Sequence, residues 1–386
     1  MNVKNVKILK SCLDMNIVKV FVQVGLIFSI AIMGSINSLA VADEVPVVIP
    51  RDEAPHDVSL EWWYYTGHLS GTDIFGKTHS YGYQMTFFRS GLGTFPLASA
   101  YVGNLAITDL NRGVHYNDSR ISIQPDLLLP GGGYNIQLLD WNLNGKNGNS
   151  QISGGLIVPG VSSLSSTNYG LNLSMQTQGR VVLNGDQGVM PPNASGALDY
   201  YSFPNLKVSG SVNDNGLIVP VTGTSWFDHE FGAPSSVSTG WHWYAIELAD
   251  GTKYNISLLK DVNNKTSLAY GTYIKADGTY SQIDPKTLAD SDVGPTWTSP
   301  RTGVTYPMAE IVSVPGGQVV VTSRVNDQEM TLLGSTYAPL APVAKLGGIS
   351  NLTYSESDAT VTGKINGVTV SGKAYMEIVP FSSLKP

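Results

Sequence analysis

Trp226-Phe227-Asp228-His229-Glu230-Phe231-Gly232 sets two carboxylates and an imidazole in consecutive positions, framed by aromatic rings. A carboxyl that can give up a proton beside an imidazole that can take one makes this segment a candidate for acid–base chemistry. On a strand, Trp226, Asp228 and Glu230 share one face, and Phe227, His229 and Phe231 share the other. All three polar groups reach one cavity only if the strand bulges or ends, and Gly232 offers an ending. The same trio also suits a hydrogen-bonded structural cluster.

Glu61-Trp62-Trp63-Tyr64-Tyr65 is the second constellation, with Glu61, Trp63 and Tyr65 on one face. A carboxylate buried among indoles holds its proton more tightly and can serve as a general acid; an edge residue with its head in water is the alternative. Arg89, which ends Phe87-Phe88-Arg89, is placed to pair with one of these carboxylates. The catalytic candidates are therefore Asp228, His229, Glu230 and Glu61. Trp62, Trp63, Tyr65, Tyr83 and Arg89 are expected to contact substrate in the first half of the chain. Tyr201, Trp226, Trp241 and Trp243 complete that set. His68, His79, His229 and His242 could join the carboxylates around a metal, but none shows H-x-x-x-H or H-E-x-x-H spacing, so neither metal nor other cofactor is expected. A serine hydrolase is disfavoured because there is no G-x-S-x-G elbow.

The elements that must position these residues are strands, laid out twice. Glu61 to Leu69 opens one copy and Gly240 to Leu248 the other. Tyr83 to Arg89 parallels Tyr254 to Lys260, and Val221 to Asp228 parallels Val370 to Glu377. After Asp228 comes His229-Glu230, whereas after Glu377 comes Ile378-Val379, so the chemistry is expected in the first copy alone. Asn-Gly at 144, 184, 215 and 366 and Asp-Gly at 250 and 277 supply positive φ for tight hairpins. With 41 glycines and little helical periodicity, an all-β chain follows. His79, Tyr81, Tyr83, Met85 and Phe87 fall on one strand face, expected to be buried, opposite Ser80, Gly82, Gln84 and Thr86. Such rings either line a ligand cavity or fill the barrel.

The expected organisation is a signal peptide at 1–42, an extension at 43–57, a first barrel at 58–232 and a second at 233–386. Gly232 to Gly240 reads as a linker, and Gly145 to Ser166 as a loop inserted in the longer first copy. Lys4, Lys7, Lys10 and Lys19 precede an apolar run from Val20 to Ile36, and Ala40-Val41-Ala42 fits a cleavage site, which implies a secreted or periplasmic protein. A retained membrane anchor is the alternative. The only cysteine, Cys12, lies in this leader, so a cleaved protein has no thiol chemistry. Losing those four lysines and Asp14 takes the formal charge from −7 to −10, which argues against nucleic acid or anionic membranes as partners. The expected partner is a hydrophobic small molecule, with no stable protein partner, in a monomer or homodimer.

In combination, Glu61-Trp62-Trp63-Tyr64-Tyr65-Thr66-Gly67-His68-Leu69, Phe87-Phe88-Arg89, Tyr200-Tyr201-Ser202, Gly223 to Gly232 and Gly240-Trp241-His242-Trp243 resemble the carotenoid 1,2-hydratase/AttH-like family of secreted lipocalin-like proteins. The resemblance spans nearly the whole chain after the leader. It implies two tandem lipocalin-like antiparallel β-barrels, in line with the duplication. For activity it implies a hydratase acting on an isoprenoid double bond, a relative that shapes polyketide-derived rings as a pericyclase does, or a carrier for a lipid or pigment. The hydratase motif maps onto Trp226, Asp228 and His229, with Glu230 adjoining. Asn104 stands where the family usually has a histidine before Ala-x-Thr-Asp, and Ala249-Asp250 where it has an acidic pair. The implied mechanism is protonation of a C=C bond by Asp228 or Glu230, a cation held over Trp226 or Trp63, and His229 as base toward water.

Overall fold

The computed structural model of the chain describes residues 45–156, 168–190, 196–234, 240–332 and 353–381. The leader therefore lies outside the described residues, as does most of the linker. Among the described residues the regular structure is strands plus two short 3-10 turns, Arg51–Glu53 and Pro285–Thr287, with no α-helix.

The first barrel contains β1 (Leu60–Thr72), β2 (Thr78–Gly91), β3 (Ser99–Asp109), β4 (Val114–Gln124), β5 (Tyr134–Leu138), β6 (Trp141–Lys146), β7 (Asn149–Leu156), β8 (Tyr169–Thr177), β9 (Val182–Leu183), β10 (Gly196–Asp214) and β11 (Leu217–Pro234). The second contains β12 (Gly240–Leu248), β13 (Lys253–Lys260), β14 (Thr266–Ile274), β15 (Tyr280–Gln282), β16 (Asp290–Asp292), β19 (Ala309–Val314), β20 (Gly317–Ser323), β21 (Glu329–Thr331), β22 (Thr353–Ile365) and β23 (Val368–Val379). A separate pair, β17 (Thr296–Thr298) and β18 (Thr305–Pro307), stands beside it. In both barrels the opening strand lies between the second strand and the last: β2-β1-β11-β10 in one, β13-β12-β23-β22 in the other. The chain is thus two lipocalin-like barrels with one strand plan. The first sheet nearly closes, since Arg120 at one end of its path holds Asp140 near the other at 2.6 Å and Gln124 donates to the Gln137 carbonyl at 2.9 Å.

Turn chemistry explains the hairpins. Asn215-Gly216 and Asn366-Gly367 both adopt positive φ, at 53° and 87° and at 51° and 80°, as tight two-residue connections require. Asn144-Gly145 departs from expectation: it lies inside β6, and the turn falls at Asn147-Gly148. Gly145 to Leu156 likewise forms part of paired β6 and β7 rather than an inserted loop.

Inside the first barrel the rings pack on one another; Trp63, Tyr65, Tyr83, Phe87, Trp141 and Phe227 are 0–2% exposed. The opposite face is buried as well. Gln84 and Thr86 are no more exposed than the tyrosines beside them, because the second barrel covers this side. Across the junction Tyr64 reaches Glu356 at 2.8 Å, His68 reaches Asp358 at 2.7 Å and Lys373 donates to Thr224 at 2.6 Å. The polar face of β2 is a second interior.

Candidate functional site

The alternation of β11 decides which groups can meet. Antiparallel pairing sets Trp63 opposite His229 and Tyr64 opposite Asp228, while Ser202 of β10 stands on the other side of Asp228. Successive side chains point to opposite faces. Phe227, His229 and Phe231 therefore enter the first barrel, and Trp226, Asp228 and Glu230 enter the space between barrels.

Within the first barrel, Glu61 is the hub. His229 Nε2 donates to its Oε1 at 2.9 Å, His56 Nδ1 approaches the same oxygen at 2.7 Å, and the His56 backbone N–H donates to Oε2 at 3.0 Å. Arg89 lies 3.6 Å from Oε2 and forms a two-pronged pair with Asp126, both contacts at 2.8 Å. The Tyr201 hydroxyl bonds the other nitrogen of His229 at 3.0 Å, which fixes its tautomer. Trp63 stacks on His229 at 4.7 Å and Phe231 on His56 at 3.8 Å. Burial pushes the Glu61 carboxyl up, but His229 and His56 outweigh it and hold the group low. Burial likewise depresses His229. His56 is pulled down by burial but raised to about 9 overall by Asp52 and Glu61. The result is a compensated ion cluster: an anion held by an imidazolium, a neutral imidazole and a guanidinium.

Between the barrels the same burial meets no such compensation. Asp228 accepts hydrogen bonds from Ser202 at 2.5 Å, Trp226 Nε1 at 2.7 Å and Tyr200 at 2.8 Å. Burial raises its carboxyl to about 7, and those three donors keep it from rising further. Glu230 is pushed well up by burial and by the charges of Asp228 and Glu377, with Trp62 opposing. The second barrel contributes two more acids. Glu377 is raised to about 7 by burial, opposed by Trp241 and reinforced by Asp228; Glu356 is raised well above the usual range by burial and by Glu377, with the Tyr64 hydroxyl opposing. Among the described residues, none of the four has a basic side chain within ion-pair distance. Aromatic rings surround them: Trp243 sits edge-on to Tyr64 at 5.2 Å and to Trp226 at 6.4 Å. Tyr200 is held by Asn255 of the second barrel at 2.6 Å, and Tyr354 of that barrel reaches Asn104 at 3.1 Å. A shallow surface cleft lined by His68, Trp226, Glu247 and Tyr375 among others reaches Trp226; its cavity volume is about 20 Å³, room for roughly one water.

The structure thus divides the residues singled out in the sequence. Asp228, Glu230, Trp62, Trp226, Trp241 and Trp243 gather between the barrels. Glu61, His229, Trp63, Tyr65, Tyr83, Arg89 and Tyr201 lie inside the first barrel. Tyr83 there bonds Ser225 at 2.6 Å and Tyr65 bonds Tyr134. His229, on the opposite face of β11 from Asp228, is not placed to take a proton from water at that carboxyl. The expectation that only one copy carries charged groups is also corrected. Glu377 occupies the position in β23 that Asp228 occupies in β11, and Glu356 is its neighbour across the β22–β23 ladder. The matching of the two closing strands already pointed to Glu377. Asn104 lines this junction, where it donates to Ser119 and accepts from Tyr354.

The model of a family described as AttH-like matches residues 40–380. Among solved structures, a candidate AttH from Nitrosomonas europaea is 25% identical, covers 88% of this chain and 99% of its own, and superposes with a TM-score of 0.69. Kievitone hydratase from Nectria haematococca is similar at 16% identity, 87% and 94% coverage and a TM-score of 0.64. CghA, solved with Sch210972, is similar at 10% identity, 87% and 94% coverage and a TM-score of 0.51. No curated protein matches by sequence.

Proposed function

The chain belongs to the AttH-like family, and from that premise we propose a cofactor-independent hydratase or related lyase that acts on a hydrophobic, isoprenoid or polyketide-like substrate between its barrels. One observation carries the reading: Asp228 is buried beside indole rings, lacks a cation, and is poised near pH 7. A carboxyl in that state is a proton donor at neutral pH, whereas an exposed one is already ionised. The kievitone hydratase likeness supplies a precedent for hydration on this fold.

In this mechanism the protonated Asp228 carboxyl gives its proton to one alkene carbon. The π electrons become the new C–H bond, and a tertiary cation is left on the neighbouring carbon. The faces of Trp226 and Trp243 stabilise that cation, worth about 2 kcal/mol in a dry pocket. The Asp228 carboxylate adds charge stabilisation that exists only after proton transfer. Water attacks the cation, and Glu377, also poised near 7, takes the excess proton. The charge of Asp228 raises Glu377, so Glu377 takes up a proton more readily once Asp228 has given up its own. Glu61 and His229 act behind the strand, fixing β11 and hence the aim of Asp228.

Secretion after cleavage near Ala42 fits a protein that meets its lipid-like substrate outside the cytoplasm; N-terminal sequencing of the protein recovered from its source tests that placement.

The deciding experiment incubates the protein and an Asp228→Asn variant with a hydrophobic extract of the source in oxygen-18 water, read by mass spectrometry. A product heavier by one labelled water, formed by the unaltered protein alone, supports the hydratase. An unmodified lipid retained equally by both proteins means a carrier and sinks it.

A further inference from the structure

The second barrel holds a polar cluster that the acid–base reading does not use. His242 on β12, Asp290 on β16 and Glu310 on β19 converge from three strands inside it, with side chains no more than 3% exposed. His242 Nδ1 lies 2.6 Å from Asp290 Oδ2 and 3.0 Å from Glu310 Oε1. One ring nitrogen offers one proton, and it is directed at Asp290. The Tyr244 hydroxyl is 2.5 Å from the other Glu310 oxygen and 2.9 Å from Asp290, and the Lys260 ammonium bonds Asp290 Oδ1. Glu310 Oε1 is fully buried and has the imidazole Nδ1 3.0 Å away, but with that proton directed at Asp290 it accepts no hydrogen bond among the described residues. A buried carboxylate oxygen without a donor is a costly arrangement that ordinarily signals a missing partner.

We propose that His242 Nδ1, Asp290 Oδ2 and Glu310 Oε1 are the protein ligands of a divalent first-row transition ion, zinc or one of similar size. The three atoms lie within 4.8 Å of one another. One imidazole and two carboxylates form a donor set such ions accept, with ligand distances of about 2.0–2.2 Å. The ion takes the place of the imidazole proton and supplies Glu310 Oε1 with its partner. Lys260 on Asp290 and Tyr244 on Glu310 then act as the outer groups that orient the ligands. The ion would tie β12 to β16, a three-residue strand at the end of the sheet path paired with β19 alone, so its role is to fasten the barrel seam.

The first barrel provides the control. His56, Glu61 and His229 also bring three ligand atoms within 4.8 Å. There, however, both Glu61 oxygens and both His229 nitrogens are already hydrogen-bonded. That cluster is complete without an ion.

The test uses the purified protein after chelator treatment and dialysis, titrated with cobalt(II). The expected result is one cobalt per chain with visible d–d absorption, and a melting temperature raised by several degrees at saturating ion. His242→Gln and Glu310→Gln abolish both signals, while His56→Gln keeps them. Circular dichroism and the ion-free melting temperature of each variant separate loss of the site from loss of the fold. The proposal is overturned if the parent protein takes up no cobalt, if uptake persists in both folded second-barrel variants, or if His56→Gln alone removes it.

Discussion

Glu61 and Asp228 are equally hidden from water, lie on neighbouring strands, and differ in almost every chemical respect. Glu61 is surrounded by His56, His229 and Arg89 and held in its ionised form. Asp228 is surrounded by a tryptophan, a tyrosine and a serine and lifted to about 7. Burial acts the same way on both, since removing water penalises the charged form. The partners decide the outcome. Three neutral donors recover part of the lost hydration of Asp228, whereas cations reverse the penalty at Glu61. One face of β11 thus anchors the fold, and the other stores a proton.

The largest expected effect separates these roles directly. Glu61→Gln strips two histidines and Arg89 of an anion and should destabilise the protein by about 3–5 kcal/mol, the range for breaking a buried ion cluster by removing one partner. Asp228→Asn, which removes a charge that has no counterion, should cost under about 1 kcal/mol at pH 8 or even stabilise. Urea unfolding of both variants at pH 8 checks this, and equal losses would erase the distinction. Next in size is the pH dependence. Asp228 and Glu377 are raised from 3.8 and 4.5 to about 7, so between those values the folded state binds more protons than the unfolded one. Stability is therefore present in full below about pH 4 for these groups and is lost as pH rises through 7. The roughly three-unit shift of Asp228 corresponds to at most about 4 kcal/mol. His56, raised to about 9, has the same sign and carries the decline on from about 6.5 to 9, whereas His115, lowered to about 4, and His229, also held low, oppose it below about 6.5. Glu61, held low, contributes its stability above the usual carboxylate range and adds no slope here. Unfolding free energies should be lower at about pH 8.5 than at about pH 4.5, and Asp228→Asn should shrink that difference.

Much of this was legible in the residues. The paired opening and closing strands gave two barrels of one plan, because strands that pair with their own barrel's ends must keep both alternation and length. The same alternation separated His229 from Asp228 and Glu230. What was not legible came from the second barrel. Gln84 and Thr86 looked solvent-facing because polar alternation ordinarily marks water, and nothing local tells a strand that another barrel will cover it. Glu377 is legible from the match of the two closing strands, whereas Glu356 is not, because a lone acid in a strand carries no signature until its partners across the junction are known. His56 and Asp126 join the Glu61 cluster from outside the strands of β1 and β11, where spacing gives no cue.

Two smaller tests sharpen the contrast at single hydrogen bonds. Trp226→Phe keeps an aromatic face but deletes the N–H that Asp228 accepts at 2.7 Å. A bond to a charged group is worth about 1.5–3 kcal/mol, so the carboxyl should rise by about one to two pH units and carry the alkaline limb of the proposed hydration with it. A limb that stays in place would detach that limb from Asp228.

Tyr64→Phe is the mildest probe, because it removes only the hydroxyl that bonds Glu356 at 2.8 Å. That bond favours the ionised form of Glu356 against burial and the charge of Glu377. Its loss should therefore cost about 1 kcal/mol at pH 8. Urea unfolding of the variant reads that cost, and no measurable loss would mean that Tyr64 contributes only packing against Trp243.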